Sequence, residues 1–128
     1  MTQADKDLLL KDLCARLPYR VKCEDITLDF VGTMTDINMH DNMCKLYNDY
    51  GYNYTCYMMN CRPYLFPLSS MTKEQKKEFA NLLVYSSSVE MIQITGESTY
   101  DWLNKNMFDW RGLIPKGLAN DATNLGIY

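Results

Sequence analysis

The sequence predicts an α+β domain: an N-terminal helix, a four- or five-stranded antiparallel, barrel-like (SH3-like) sheet, then two short helices and a compact C-terminal block. Three observations predict it. Apolar residues near the N-terminus recur at helical spacing, the stretch from Arg20 to Asn60 alternates with a period of two, and two S/T-x-x-D/Q boxes stand ahead of later apolar runs. With 128 residues and no linker-like tract or internal repeat, the chain reads as one domain, residues 1–128.

The first helix opens at Thr2, three residues before Asp5, a short-armed capping box. Leu10, Leu13, Cys14 and Leu17 fall at i, i+3, i+4 and i+7, which marks them as the packed stripe, widened by Leu8 and Leu9. Pro18 ends the helix, because the residue before a proline is pushed toward extended geometry. Val21 and Cys23 then alternate with charged neighbours, and Ile26, Leu28 and Phe30 continue the alternation. Met34, Ile37 and Met39 follow Gly32. The turn signals His40-Asp41-Asn42 and Asn48-Asp49-Tyr50-Gly51 bracket a strand at Met43–Tyr47, and Tyr52–Asn60 reads as the last long strand. A meander of this kind must curl, or be covered by the helix, to bury its apolar face.

Pro63 and Pro67 cannot donate ladder bonds, so the segment 61–67 reads as an edge or extended linker. Thr72 and Gln75 form a capping box for a helix over 73–84, with Phe79, Leu82 and Leu83 as its apolar spacing. Val89–Thr95 reads as a short strand or an irregular crossing. Ser98 with Asp101 opens a third helix running to about residue 106. The segment 108–118, dense in large apolar residues and breakers, is expected to form a set of turns with one helical turn at 112–114, and the tail from Asn120 to be extended or partly ordered.

Ten Tyr and nine Met stand against four Phe. Tyr suits half-buried sheet faces and contact surfaces, and Met fills irregular gaps. Net charge is −3, which opposes phosphate-driven binding to nucleic acid. Residues 25–61 hold five Asp against Lys45, a segment charge of −4. Such a surface is ordinarily a solvated face that also suits a basic partner. A nucleic-acid face would need Arg62, Lys73, Lys76 and Lys77 to converge with Arg20 or Lys22. The N-terminus has no signal-peptide pattern and the longest apolar runs are three or four residues, so a cytoplasmic protein with no membrane partner is expected.

No nucleophile-elbow, phosphate-loop, dinucleotide or H-E-x-x-H motif occurs. The single His40 stands in a turn near Cys44, a pairing that would allow a small enzyme using His40 with Cys44 or nearby carboxylates such as Asp36 and Asp41. A turn histidine is far more often simply solvated. Asp25 and Asp29 sit among polar residues, as does the incomplete cation-loop alternation from Asp36 to Asn42. The five cysteines, Cys14, Cys23, Cys44, Cys56 and Cys61, are irregularly spaced and read as reduced, mostly buried thiols, so neither metal nor cofactor is expected.

Asp109-Trp110-Arg111-Gly112 is the sharpest local signature. Trp beside Arg suits a recognition hot spot, and it suits a core anchor with a satisfied guanidinium better. The Tyr cluster supplies the other candidate surface, with Tyr52 and Tyr54 expected on one strand face and Tyr57 on the other. The binding candidates are therefore Tyr52, Tyr54, Tyr57, Trp110 and Arg111, and the leading expectation is a non-enzymatic interaction domain, an adaptor or inhibitor with a protein partner.

Leu8–Tyr19, Pro63–Thr72 and Phe108–Ala119 resemble blocks from a family of short proteins of anaerobic gut bacteria and their phages and mobile elements. The similarity runs nearly end to end and is weakest over 25–61. The resemblance implies a bacterial, mobile-element setting and a framework built from the N-terminal helix and the C-terminal block. It carries no activity and no site residue.

Overall fold

The computed structural model describes residues 1–86 and 99–128; the segment Val89–Thr95 and the capping residue Ser98 lie outside them. Helix α1 spans Gln3–Arg16 and continues as a single 3-10 turn, Leu17–Tyr19. Its capping box forms as expected: Asp5 N donates to Thr2 Oγ1 at 3.1 Å, and Thr2 N donates back to Asp5 Oδ2 at 3.4 Å.

Strands β1 (Lys22–Asp25), β2 (Phe30–Asn38), β3 (Met43–Tyr47), β4 (Asn53–Tyr57), β5 (Cys61–Leu65) and β6 (Asn120–Asp121) form one sheet in the order β4-β3-β2-β1-β5-β6. The first five are antiparallel, and β6 lies parallel to β5. The sheet thus has six strands and two ends, and among the described residues no ladder closes it. Helix α2 (Lys73–Ser86) carries the expected box, with Gln75 N on Thr72 Oγ1 and Thr72 N on Gln75 Oε1. Helix α3 covers Thr99–Lys105.

Several expectations need correction. The packed stripe of α1 is Leu9, Asp12, Leu13 and Arg16, rotated from the apolar one, while Cys14 is exposed and Leu10 only half buried. Ile26 and Leu28 are exposed in the β1–β2 turn rather than in a strand. There the Asp25 carboxylate accepts from Thr27 N at 2.9 Å and from Thr27 Oγ1 at 2.6 Å, and Asp29 takes φ 51°. This Asx turn competes successfully with the ladder. β5 is an interior strand despite Pro63, and its pairing with β6 begins at Tyr64, one residue past the proline. The tail is docked: Tyr128 Oη receives Lys22 N at 2.9 Å and donates to Tyr64 O at 2.9 Å.

β2 is bulged between Met34 and Asp36, which resets its phase so that Met34 and Ile37 both face inward. At Gly32 the coiling is tightest. A Cβ there would stand 3.0 Å from backbone atoms of Tyr47, so only glycine admits the close approach of β3. The main core fills the concave side under α1 with Leu9, Leu13, Val21, Met34, Leu46, Leu65 and Leu113. A second cluster of Trp102, Leu103 and Phe108, joined by Phe66, Phe79 and Leu82, ties α2 to α3.

One buried polar network connects these parts. Arg16 Nε donates to Asp12 Oδ2 at 2.9 Å, and its terminal nitrogens reach Phe108 O at 2.6 Å and Asn104 O at 3.4 Å. Arg111 closes the other carboxylate oxygen of Asp12 at 2.8 Å. Asp12 and Arg16 are both fully buried, so removing one partner leaves an uncompensated charge. Asp12→Ala is expected to cost about 3–5 kcal/mol in urea unfolding, far beyond a surface ion pair. Gly32→Ala should cost about 1–3 kcal/mol through the displaced Tyr47 backbone, read as a lower thermal midpoint.

Candidate functional site

Three places hold residues singled out by type: the Trp110–Arg111 corner, the turn end of the sheet, and the concave face of β3–β5. Each is built by different local physics.

At the corner, Trp110 Nε1 donates to Asn104 Oδ1 at 2.9 Å, and the Arg111 guanidinium lies 4.0 Å over the Trp110 ring while pairing with Asp12. Tyr100 packs on the other side of the indole, with centroids 4.7 Å apart. Asp109 does not take Arg111. It accepts Leu113 N and Ile114 N at 2.8 and 2.9 Å and so organises the turn of 113–117. Trp110 and Arg111 are half buried, with their polar atoms engaged inside the fold. Arg62 is similarly engaged, donating to Met59 O, Cys61 O and Gly117 O. The basic residues Lys73, Lys76 and Lys77 stand on α2, Arg62 on β5 and Lys22 on β1.

The tyrosines divide differently from the expectation. Tyr54 faces inward with Cys56 and packs on Phe30, centroids 5.3 Å apart, while Tyr57 faces outward and lines a cleft with Lys6, Leu10 and Met59 against α1. Tyr52 does not share a face with an exposed Tyr54; it stands at the end of the β3–β4 turn, 68% exposed, beside Tyr50 at 86%. Asn48 shapes that turn by accepting the backbone N–H of both Tyr50 and Tyr52 through its side chain. Antiparallel register brings the β1–β2 turn to the same end of the sheet, since Thr33 near the start of β2 pairs with Tyr47 at the end of β3. Leu28 (61% exposed), Ile26, Val31 and Tyr47 therefore lie at the same end of the sheet as Tyr50 and Tyr52, as do Asp29 and Asp49. Val31, Tyr47 and Asp49 line one shared depression there.

His40 is exposed on the β2–β3 turn, where Asn38 Oδ1 accepts its backbone N–H at 3.0 Å. Cys44 is buried on the opposite, concave side of β3, and among the described residues no hydrogen bond joins the two. Asp36 and Asp41 border a shallow groove near the same turn, both exposed.

On the concave face the structure assembles what spacing did not. Cys44 and Cys56 are directly opposed in the β3–β4 ladder, their sulfurs 3.4 Å apart. Cys61 of β5 joins them, all three Sγ atoms lying within 4.8 Å of one another. All five cysteines are free thiols, four of them buried; Cys14 is exposed. Thiol hydrogen bonds from Cys44 and Cys61 pull the Cys56 thiol well below its ordinary range. Cys44 is pushed up chiefly by its hydrogen bond with Cys56, and Cys61 chiefly by its interaction with Cys23. Three buried sulfurs so placed form a soft donor set. Local spacing could not signal it, because Cys44 and Cys56 meet across a hairpin twelve residues apart and Cys61 comes from β5, four places from β4 in the sheet order.

Among the described residues no helix is long and apolar enough to cross a membrane. Compared with family models, curated proteins and solved structures, the chain matches none. Native protein treated with a maleimide is expected to take one adduct, on Cys14, and five after denaturation; intact mass measures both, and burial is the protecting cause.

Proposed function

We propose that this chain is a non-enzymatic protein-interaction domain, an adaptor or inhibitor, that receives a protein partner at the turn end of its sheet. The observation that carries the reading is the cluster of exposed Ile26, Leu28, Tyr50 and Tyr52 at one end of the molecule, contributed by two separate turns. Tyr offers large, rigid contact area at low entropic cost, and aliphatic neighbours supply the dry centre a hot spot needs. Asp29 and Asp49 at the rim favour a partner that sets basic side chains around an apolar contact. The resemblance of the sequence to proteins of gut bacteria and their mobile elements supports a bacterial cytoplasmic setting, encoded by a phage or mobile element. The Tyr57 cleft against α1 lies outside this surface, and Trp110 and Arg111 serve the framework.

The test places a photo-reactive phenylalanine analogue at position 52 or 28, with position 73 on α2 as control, in cells of the native host. One protein captured from both 52 and 28, and not from 73, is the expected result. Its purified complex should weaken by tenfold or more in a Leu28→Ser/Tyr50→Ser/Tyr52→Ser variant of unchanged thermal midpoint, and weaken with rising salt. Equal capture from position 73, or wild-type affinity in the variant, would overturn the assignment.

A further inference from the structure

We propose that the concave face of the sheet holds a thiophilic metal ion of the zinc class, with Cys44, Cys56 and Cys61 as ligands and Cys23 as the fourth. The observations are geometric. Three sulfurs lie within 4.8 Å of one another, and Cys23, also fully buried, stands on β1, which pairs with the β5 strand that carries Cys61. A tetrahedral ion with metal–sulfur bonds of about 2.3 Å holds its sulfurs about 3.8 Å apart. The cluster therefore needs adjustments of up to about 1 Å among the first three ligands and a turn of Cys23 toward them. No histidine or water-facing carboxylate competes for the position, and an all-thiolate set selects soft ions.

Two further features point to a cation. Asp25, itself buried, is opposite Cys61 in the β1–β5 register and close enough to act on Cys56 electrostatically. Its carboxylate is held by Thr27 and by the Tyr54 hydroxyl, and among the described residues no basic side chain pairs with it. A buried carboxylate without a cationic partner is costly, and a divalent ion held by the neighbouring sulfurs offsets its charge. The second feature is topological. β4 ends the sheet and β5 lies four places away in strand order, yet Cys56 and Cys61 meet across the gap. The only covalent path between them is the short turn Met58–Asn60. An ion here would staple the curled sheet at the seam where no ladder runs.

On binding, each thiol that becomes a ligand releases its proton to the buffer as the metal–sulfur bond forms, so affinity should rise with pH. No electron is transferred.

The decisive experiment titrates Cd²⁺ into the reduced full chain under argon and follows thiolate-to-metal charge-transfer absorption, with Zn²⁺ competition and thermal unfolding alongside. Saturation at one Cd²⁺ per chain, displacement by Zn²⁺ and a rise of several degrees in the thermal midpoint are expected. The signal should survive Cys14→Ser, which removes the exposed thiol. It should weaken at least tenfold in Cys44→Val/Cys56→Val, whose apolar side chains keep the core filled so that the variant folds. Binding lost in Cys14→Ser, unchanged in the valine variant, or absent from folded wild type would overturn the proposal. So would a Cys44–Cys56 disulfide, found by non-reducing mass analysis, that persists in the protein as isolated from cells.

Discussion

The fold depends on the buried Asp12–Arg16 pair and its link to Arg111. An ion pair without solvent access contributes little through Coulomb attraction alone, because desolvating both charges costs several kcal/mol. What it contributes here is position. The guanidinium of Arg16 is satisfied only if the carbonyls of Phe108 and Asn104 come to it, and the second oxygen of Asp12 only if Arg111 does. Helix α1 is thereby held in one rotation and the C-terminal block in one place. The stretches 8–19, 63–72 and 108–119 meet at this point. α1 supplies the pair, residues 108–111 supply its partners, and Phe66 of the middle stretch exchanges backbone hydrogen bonds with Met107 and Asp109.

The same network explains what could be read from the sequence and what could not. The helix starts at Thr2 and Thr72 were legible because capping is local: donor and acceptor sit three residues apart. The rotation of α1 was not legible. Its buried stripe contains Asp12 and Arg16, which a search for apolar periodicity assigns to water, so Leu10 and Cys14 took their place. Ile26 and Leu28 misled in the opposite sense. They keep the alternation of a strand, but Asp25 offers Thr27 a side-chain acceptor that outcompetes the ladder, and the alternation runs on through a turn. The two-residue β6 had no signal of its own; it exists because β5 presents a free edge beyond Pro63 and Tyr128 anchors the chain behind it.

Site residues divide along the same line. Exposed Tyr50 and Tyr52 were visible as part of a Tyr-rich turn, whereas the partnership of that turn with Leu28 required the register of β2 on β3. Tyr54 and Tyr57 lie on opposite faces as the alternation indicates, with Tyr54 inward beside Cys56, whereas Tyr52 falls in the turn because β4 begins at Asn53. The cysteines were counted correctly and grouped not at all. Motif spacing recognises metal ligands when one hairpin or one helix presents two of them. Here the hairpin pair, Cys44 and Cys56, is twelve residues apart rather than the usual few, and Cys61 reaches it from β5.

That curl has a cause that runs from one residue to the whole molecule. Gly32 lets the backbone of Tyr47 approach to a distance that any side chain would block, which bends β3 and β4 toward the concave side. The bulge after Met34 bends β2 in step without turning its apolar residues outward. The bend draws Cys44 and Cys56 toward Cys61. On the convex side it leaves the β1–β2 and β3–β4 turns together at one end, free of α1. The buried sulfurs and the exposed Tyr–Leu surface are therefore two consequences of a single coiling.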